Sequence, residues 1–234
     1  MKKCSILIAT LGILFLSSLL TSANCLSCFE NWYIAGSGSA SWHNHQRYTF
    51  AMHGKEFFFS RQYKQAWGGN FSIGFLIPAR DCLDFRVEGE FVYRPHKLRK
   101  GHFEVFSDKR KIHSKTISLH GHSRDAAVMA NLLADFSFCP CWKFYFGLGL
   151  GASYNRSTMK FADHFLVKPP FSRNSWVVAT QLITGFSYQW TNCVVLTLGY
   201  RLFSTSEVLT ERTLLRSDNR PYTQSVDLGI RFQL

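Results

Sequence analysis

The sequence predicts an all-β protein, a closed antiparallel transmembrane β-barrel of eight strands. Three observations carry that reading. Apolar and small-or-polar side chains alternate with a period of two in eight separate stretches, and a period of two belongs to a strand with two different faces. An N-terminal export signal precedes them. The connections between the stretches are alternately short and long, the pattern of short periplasmic turns and long extracellular loops.

The first strand is expected over Trp32 to His43, with Trp32, Ile34, Ala40 and Trp42 on one face and Ser37, Ser39, Ser41 and His43 on the other. In the second, Ala66 to Ile77, Trp67, Phe71, Ile73, Phe75 and Ile77 alternate with Gly68, Asn70, Ser72 and Gly74. The third, Phe85 to Arg94, is the sharpest: Phe85, Val87, Phe91 and Tyr93 oppose Arg86, Glu88, Glu90 and Arg94. The fourth, Arg124 to Phe138, sets an apolar face ending in Phe136 and Phe138 against Asp125, Asn131, Asp135 and Ser137, joined by Met129 and Leu133. The fifth, Phe144 to Asn155, turns Gly147, Gly149, Gly151 and Ser153 inward. The sixth spans Trp176 to Trp190 and the seventh Val194 to Phe203, where Arg201 shares a face with Thr197 and Gly199. The eighth runs from Tyr222 to the terminus, with Asp227 and Arg231 inward.

Pro78 to Asp84, Cys139 to Lys143 and Thr191 to Cys193 are the short turns. Asn44 to Gln65, Pro95 to Ser123, Arg156 to Ser175 and Ser204 to Pro221 are the long loops. The segments Phe103 to Phe106 and Thr116 to Leu119 could pair as a hairpin above the membrane, or join the wall and make ten strands.

Lys2 and Lys3, the apolar run from Ile6 to Leu20, and the small residues Thr21, Ser22 and Ala23 form the signal. This divides the chain into a signal peptide, 1–23, and a barrel, 24–234. A chain that enters a membrane after export through these short stretches must close on itself, because lipid leaves no partner for an open edge. A soluble ligand-binding barrel also alternates, but its apolar face is inside. Here the face opposite the aromatics carries Arg, Glu, Asp, Asn and Gln, and Gly and Ser that suit a narrow interior. Aromatics also gather at both strand ends, with Trp42, Trp67, Tyr93, Tyr154, Trp176, Tyr200 and Tyr222 near the loops. Trp32, Phe85, Phe138, Phe144, Tyr188 and Phe232 stand near the turns, giving the two girdles of a membrane interface.

With charged strands inside and an apolar closing strand, the chain resembles the small eight-stranded outer-membrane proteins of the opacity and surface-antigen type. Phe85 to Arg94 is similar to their charged-inside strand. Leu228, Ile230, Phe232 and Leu234 resemble the assembly signal read by the barrel-assembly machinery. Such barrels usually end in an aromatic residue, whereas Leu234 is last here and Phe232 lies two before it. The resemblance implies a bacterial outer-membrane location, surface loops, and contact with outer-membrane lipid and lipopolysaccharide. It implies no catalytic activity.

Four constellations bear on function. Arg86, Glu88, Glu90, Arg94, Asp135, Arg201, Asp227 and Arg231 share inward parity. An eight-stranded interior is filled by side chains, so these are expected to form a salt-bridged network, with a narrow ion path as the alternative. The second long loop carries Lys97, Arg99, Lys100, Lys109, Arg110, Lys111 and Lys115 against Glu104 and Asp108. It is the candidate site for lipopolysaccharide phosphates or a host acidic glycan, in a chain of formal net charge +12. Export argues against nucleic acid as the partner. His43 with His45, and His120 with His122, stand two apart, but no local carboxylate or cysteine completes a metal site, and neither metal nor cofactor is expected. Cys25, Cys28, Cys82, Cys139, Cys141 and Cys193 all fall at the periplasmic rim. They could form an internal clasp or link the barrel to a disulfide-bonded envelope protein.

The functional expectation is a surface barrel, not a wide pore, acting in envelope structure or adhesion through its basic loops. The alternatives are a lipid A-modifying enzyme, for which His120 with a serine of another strand would serve at the rim, and the soluble periplasmic ligand-binding barrel.

Overall fold

A computed structural model of the chain describes residues 31–44, 46–52, 55–80, 82–107, 110–117, 119–161, 171–206, 216–217 and 222–234. Twelve strands occupy them: β1 (Trp32–His43), β2 (Gln46–Met52), β3 (Lys55–Tyr63), β4 (Ala66–Arg80), β5 (Leu83–Ser107) and β6 (Arg110–Ile117). They continue as β7 (Leu119–Cys139), β8 (Trp142–Phe161), β9 (Phe171–Gln189), β10 (Val194–Thr205), β11 (Arg216–Ser217) and β12 (Tyr222–Gln233).

Eight of these make the wall. The antiparallel order runs β5, β4, β1, β12, β10, β9, β8, β7, and a β5–β7 ladder from Leu83 opposite Phe136 to Lys97 opposite His122 closes it. Closure of the two chain ends is continuous, since Ile34 of β1 faces Phe232 of β12 and the Leu234 amide donates to the Trp32 carbonyl at 2.9 Å. No helix among the described residues is long and apolar enough to cross a membrane.

The wall is inside out relative to a soluble protein. Leu148, Leu228 and Phe138 are 60–69% exposed, while Asp135 on the other face is fully buried. Both aromatic girdles are present. Trp67 and Trp176 are exposed at the loop end, and Trp142 and Trp190 join Trp32, Phe138 and Tyr188 at the turn end. Ring pairs bind neighbours within the girdles, as for Tyr154 with Trp176 at 5.2 Å and Trp142 with Tyr188 at 4.9 Å.

Above the outer girdle the structure departs from the sequence expectation. The segment from Asn44 to Gln65 contains β2 and β3, and β5 runs on without interruption to Ser107. These pair as a second sheet in the order β11, β2, β3, β5, with β6 on the other edge of β5. The hairpin in the second loop forms, with Phe103 opposite Lys115 and Ser107 opposite Arg110, so its return strand begins earlier than the Thr116 to Leu119 segment. It stays outside the ring, and the wall has eight strands rather than ten. Gln62 faces Lys100 while Tyr63 faces Leu98, so Arg99 is an extra residue on β5. Such a bulge bends a strand and exchanges its faces, which is why the wall's alternation cannot be followed upward by counting. The outer half of β5 adds on the order of 30 Å along the strand.

Candidate functional site

The lumen is stratified. At its lower level Arg86 donates from Nε to Asp135 at 2.9 Å and from Nη1 to Glu88 at 2.7 Å, and the Tyr33 hydroxyl donates to the same Glu88 oxygen at 2.7 Å. Arg231 approaches Asp135 Oδ2 at 3.6 Å and lies over the Tyr33 ring at 5.3 Å. Space for that ring comes from Gly74, where any Cβ would collide with it.

The middle level centres on Glu90. It accepts hydrogen bonds from Arg201 at 2.8 Å, Asn131 at 2.8 Å, Gln181 at 2.8 Å and Asn70 at 3.0 Å. Arg201 also donates from Nε to Asp227 at 3.0 Å. Buried charge is tolerable when it is paired; here Arg201 links Glu90 to Asp227, and Asp227 Oδ1 has no hydrogen-bond partner.

Over this sits an apolar layer of Val92, Ala127, Met129, Ala179 and Phe203. Arg94 caps it with its guanidinium over Phe203 at 4.4 Å. The structure therefore brings all eight inward-parity charges into the lumen, four arginines and four carboxylates, each no more than 8% exposed. Sequence reasoning overlooked Tyr33, which is 1% exposed. Its parity with Ser37 and Ser39 was the available signal; the expectation that aromatics face lipid concealed it.

At the outer mouth, beyond the girdle that bounds the membrane-spanning segments, His43 meets His96, with ring centroids 5.4 Å apart. His43 Nδ1 shares a 2.6 Å hydrogen bond with the Thr223 hydroxyl, and His96 Nε2 lies 3.5 Å from Asp125. Burial, aided by the Arg94 charge, lowers the His96 pKa to about 4, and burial raises Asp125 to about 6. At neutral pH this contact is thus between a neutral imidazole and a carboxylate. His45 lies outside the described residues, and among the described residues no three metal-ligating side chains converge.

Of the basic set, Lys97, Arg99 and Lys100 lie on β5, and Arg110, Lys111 and Lys115 on β6. Lys109 lies outside the described residues. At the opposite end, Cys82 is in the β4–β5 turn, Cys139 ends β7, Cys141 precedes β8 and Cys193 precedes β10. Cys82, Cys139 and Cys141 are exposed free thiols. The Cys82 carbonyl accepts from the Ser137 amide at 2.9 Å, and that of Cys193 from the Gln233 amide at 2.9 Å, which fixes both turns to the neighbouring strand. Residues 1–23, Cys25 and Cys28 lie outside the described residues. Leu228, Ile230, Phe232 and Leu234 alternate on the lipid side of β12 and past its end.

No family model and no curated protein matches the chain. Among solved structures it is similar to Neisserial surface protein A, with 17% identity, 87% of this chain and 97% of that one covered, and a TM-score of 0.48. It is similar to Ail, the attachment invasion locus protein of Yersinia pestis, with 13% identity, 87% and 98% covered, and a TM-score of 0.44. The outer membrane protease OmpT from Escherichia coli aligns at 7% identity over 88% and 97%, with a TM-score of 0.49. By its own ladders, exposed apolar band and charged lumen, the chain is an eight-stranded outer-membrane barrel.

Proposed function

We propose that this barrel is a non-catalytic surface protein that binds anionic glycan or lipopolysaccharide through its basic outer sheet, in envelope structure or adhesion. The observation that carries the reading is the continuity of β5. One strand is wall from Leu83 to Lys97 and then becomes the spine of the outer sheet, so the cations of β3, β5 and β6 stand on a hydrogen-bonded framework. Beyond the wall, over residues 46–63, 97–107 and 110–117, Arg47, Lys55, Arg61 and the six described lysines and arginines from Lys97 to Lys115 face only Glu56 and Glu104 as acids among the described residues. A one-signed surface of this kind attracts polyanions from solution.

The plugged lumen supports a binding role over wide diffusion. Its central cavity is about 60 Å³, and the Val92–Phe203 apolar layer lies across the path above it. Export to the surface requires the segment 1–23 to act as a cleaved signal and the strand ending at Leu234 to be read by the assembly machinery. Both belong to the same proposal.

The test is heparin affinity of the folded protein in detergent. Changing Lys97, Arg99, Lys100, Arg110, Lys111 and Lys115 to glutamine is expected to weaken retention on the order of tenfold at moderate salt. Unchanged retention would dismiss these strands as the site.

A further inference from the structure

We propose that the short-turn mouth of the barrel binds a small inorganic anion of the chloride or phosphate class, held by Arg231 and Lys143 beside the thiol of Cys141. Arg231 walls two separate cavities. The central one is lined by both acids and bases and belongs to the buried network. The second, of about 10 Å³, lies at the turn end, and its polar lining is Cys141, Lys143, Ser187, Gln189, Arg231 and Gln233. No carboxylate lines it.

Arg231 is 4% exposed, and its Nε and Nη1 have no hydrogen-bond partner. Its nearest carboxylate oxygen, Asp135 Oδ2, is 3.6 Å away, beyond hydrogen-bond reach, while Arg86 donates to the other oxygen of that carboxylate at 2.9 Å. Lys143 spends one of its three ammonium donors on Asp84 at 2.6 Å, leaving two. Two cationic side chains thus border a space whose only side-chain acceptors are the neutral oxygens of Ser187, Gln189 and Gln233. A buried donor left unmet is costly, and an anion meets such donors with charge-assisted bonds. The cavity has about the volume one water-sized guest requires. That suits a chloride ion, or one oxygen of a phosphate whose remainder stays at the open mouth. Cys141 shares this wall, so an occupant shields its sulfur while Cys82 and Cys139 stay open.

The full-length barrel, folded in zwitterionic micelles with thiols reduced, is titrated with chloride or phosphate at constant ionic strength set by gluconate. Alkylation of Cys141 by a neutral maleimide, located by peptide mapping, is expected to slow about tenfold at saturating anion, with Cys82 and Cys139 unchanged. The urea midpoint should rise with the same saturation point. Arg231→Met should abolish both responses while its band still shifts on heating, and Lys143→Gln, which leaves Arg231 in place, should weaken both. The chloride and phosphate arms show which anion is preferred. An absence of saturable protection in the native chain, as when water alone fills the cavity, overturns the proposal. So does equal slowing at all three thiols, or protection that persists in Arg231→Met. Should Arg231→Met not fold, full protection retained in Lys143→Gln overturns it.

Discussion

Arg201→Met is expected to destabilise the folded barrel by about 3–5 kcal/mol, because it strips the countercharge from two buried carboxylates at once. Arg201 holds Glu90 at 2.7 Å and Asp227 at 3.0 Å. It also donates to the Gln181 side-chain oxygen at 2.9 Å. Methionine fits the guanidinium's path but donates nothing, so Glu90 would keep only amide donors. The cost comes from the stranded charges rather than from the lost pair. Glu90→Gln and Asp227→Asn added to Arg201→Met should therefore recover part of the stability, since both stranded carboxylates are then neutral while buried Arg94 loses their countercharge. Urea unfolding in lipid vesicles, followed by tryptophan fluorescence, gives the midpoints. Equal stability of native protein and single variant would show that the lumen is hydrated and that its charges are separately solvated.

Leu148→Arg is the second large effect and probes the opposite face. Leu148 is central on β8, faces Leu132 and Leu182 across its two ladders, and is 60% exposed in the isolated barrel. Against lipid that exposure is burial. An arginine at the midplane of a barrel wall costs about 2–4 kcal/mol, whereas the same change near an interface costs about 0–1 kcal/mol. Phe138→Arg, in the turn-end girdle, is the shallow control. The two variants should separate clearly in vesicles by the same urea assay. If they lose equal stability, the exposed apolar face is not a lipid face of graded depth.

Much of the wall was legible because a barrel in lipid imposes one rule on every strand. Phe85 to Arg94 shows it undiluted: one face can meet only hydrocarbon and the other only a crowded polar lumen. β1 and β10 were bounded to within two residues on that basis, and β12 to within one. The outer sheet was not legible, for a physical reason. Above the girdle no lipid demands an apolar face, so the sequence from Pro95 to His102 loses its alternation, and the bulge at Arg99 exchanges the faces besides. β2 and β3 were hidden in the same way. Within the lumen, parity alone marked the charges. It could not show that Asn70, Asn131 and Gln181 all converge on one carboxylate, or that His43 would meet His96, because those meetings depend on ladder register across several strands.

The chain closes into a membrane-spanning barrel with its charges inside. Gel mobility of the envelope-extracted protein with and without boiling tests it most directly. Extraction is expected to need detergent, and the unboiled chain to migrate as a compact species that shifts to 26.9 kDa or less, according to signal removal, on heating. A chain that stays soluble without detergent and shows no heat-dependent shift would contradict it.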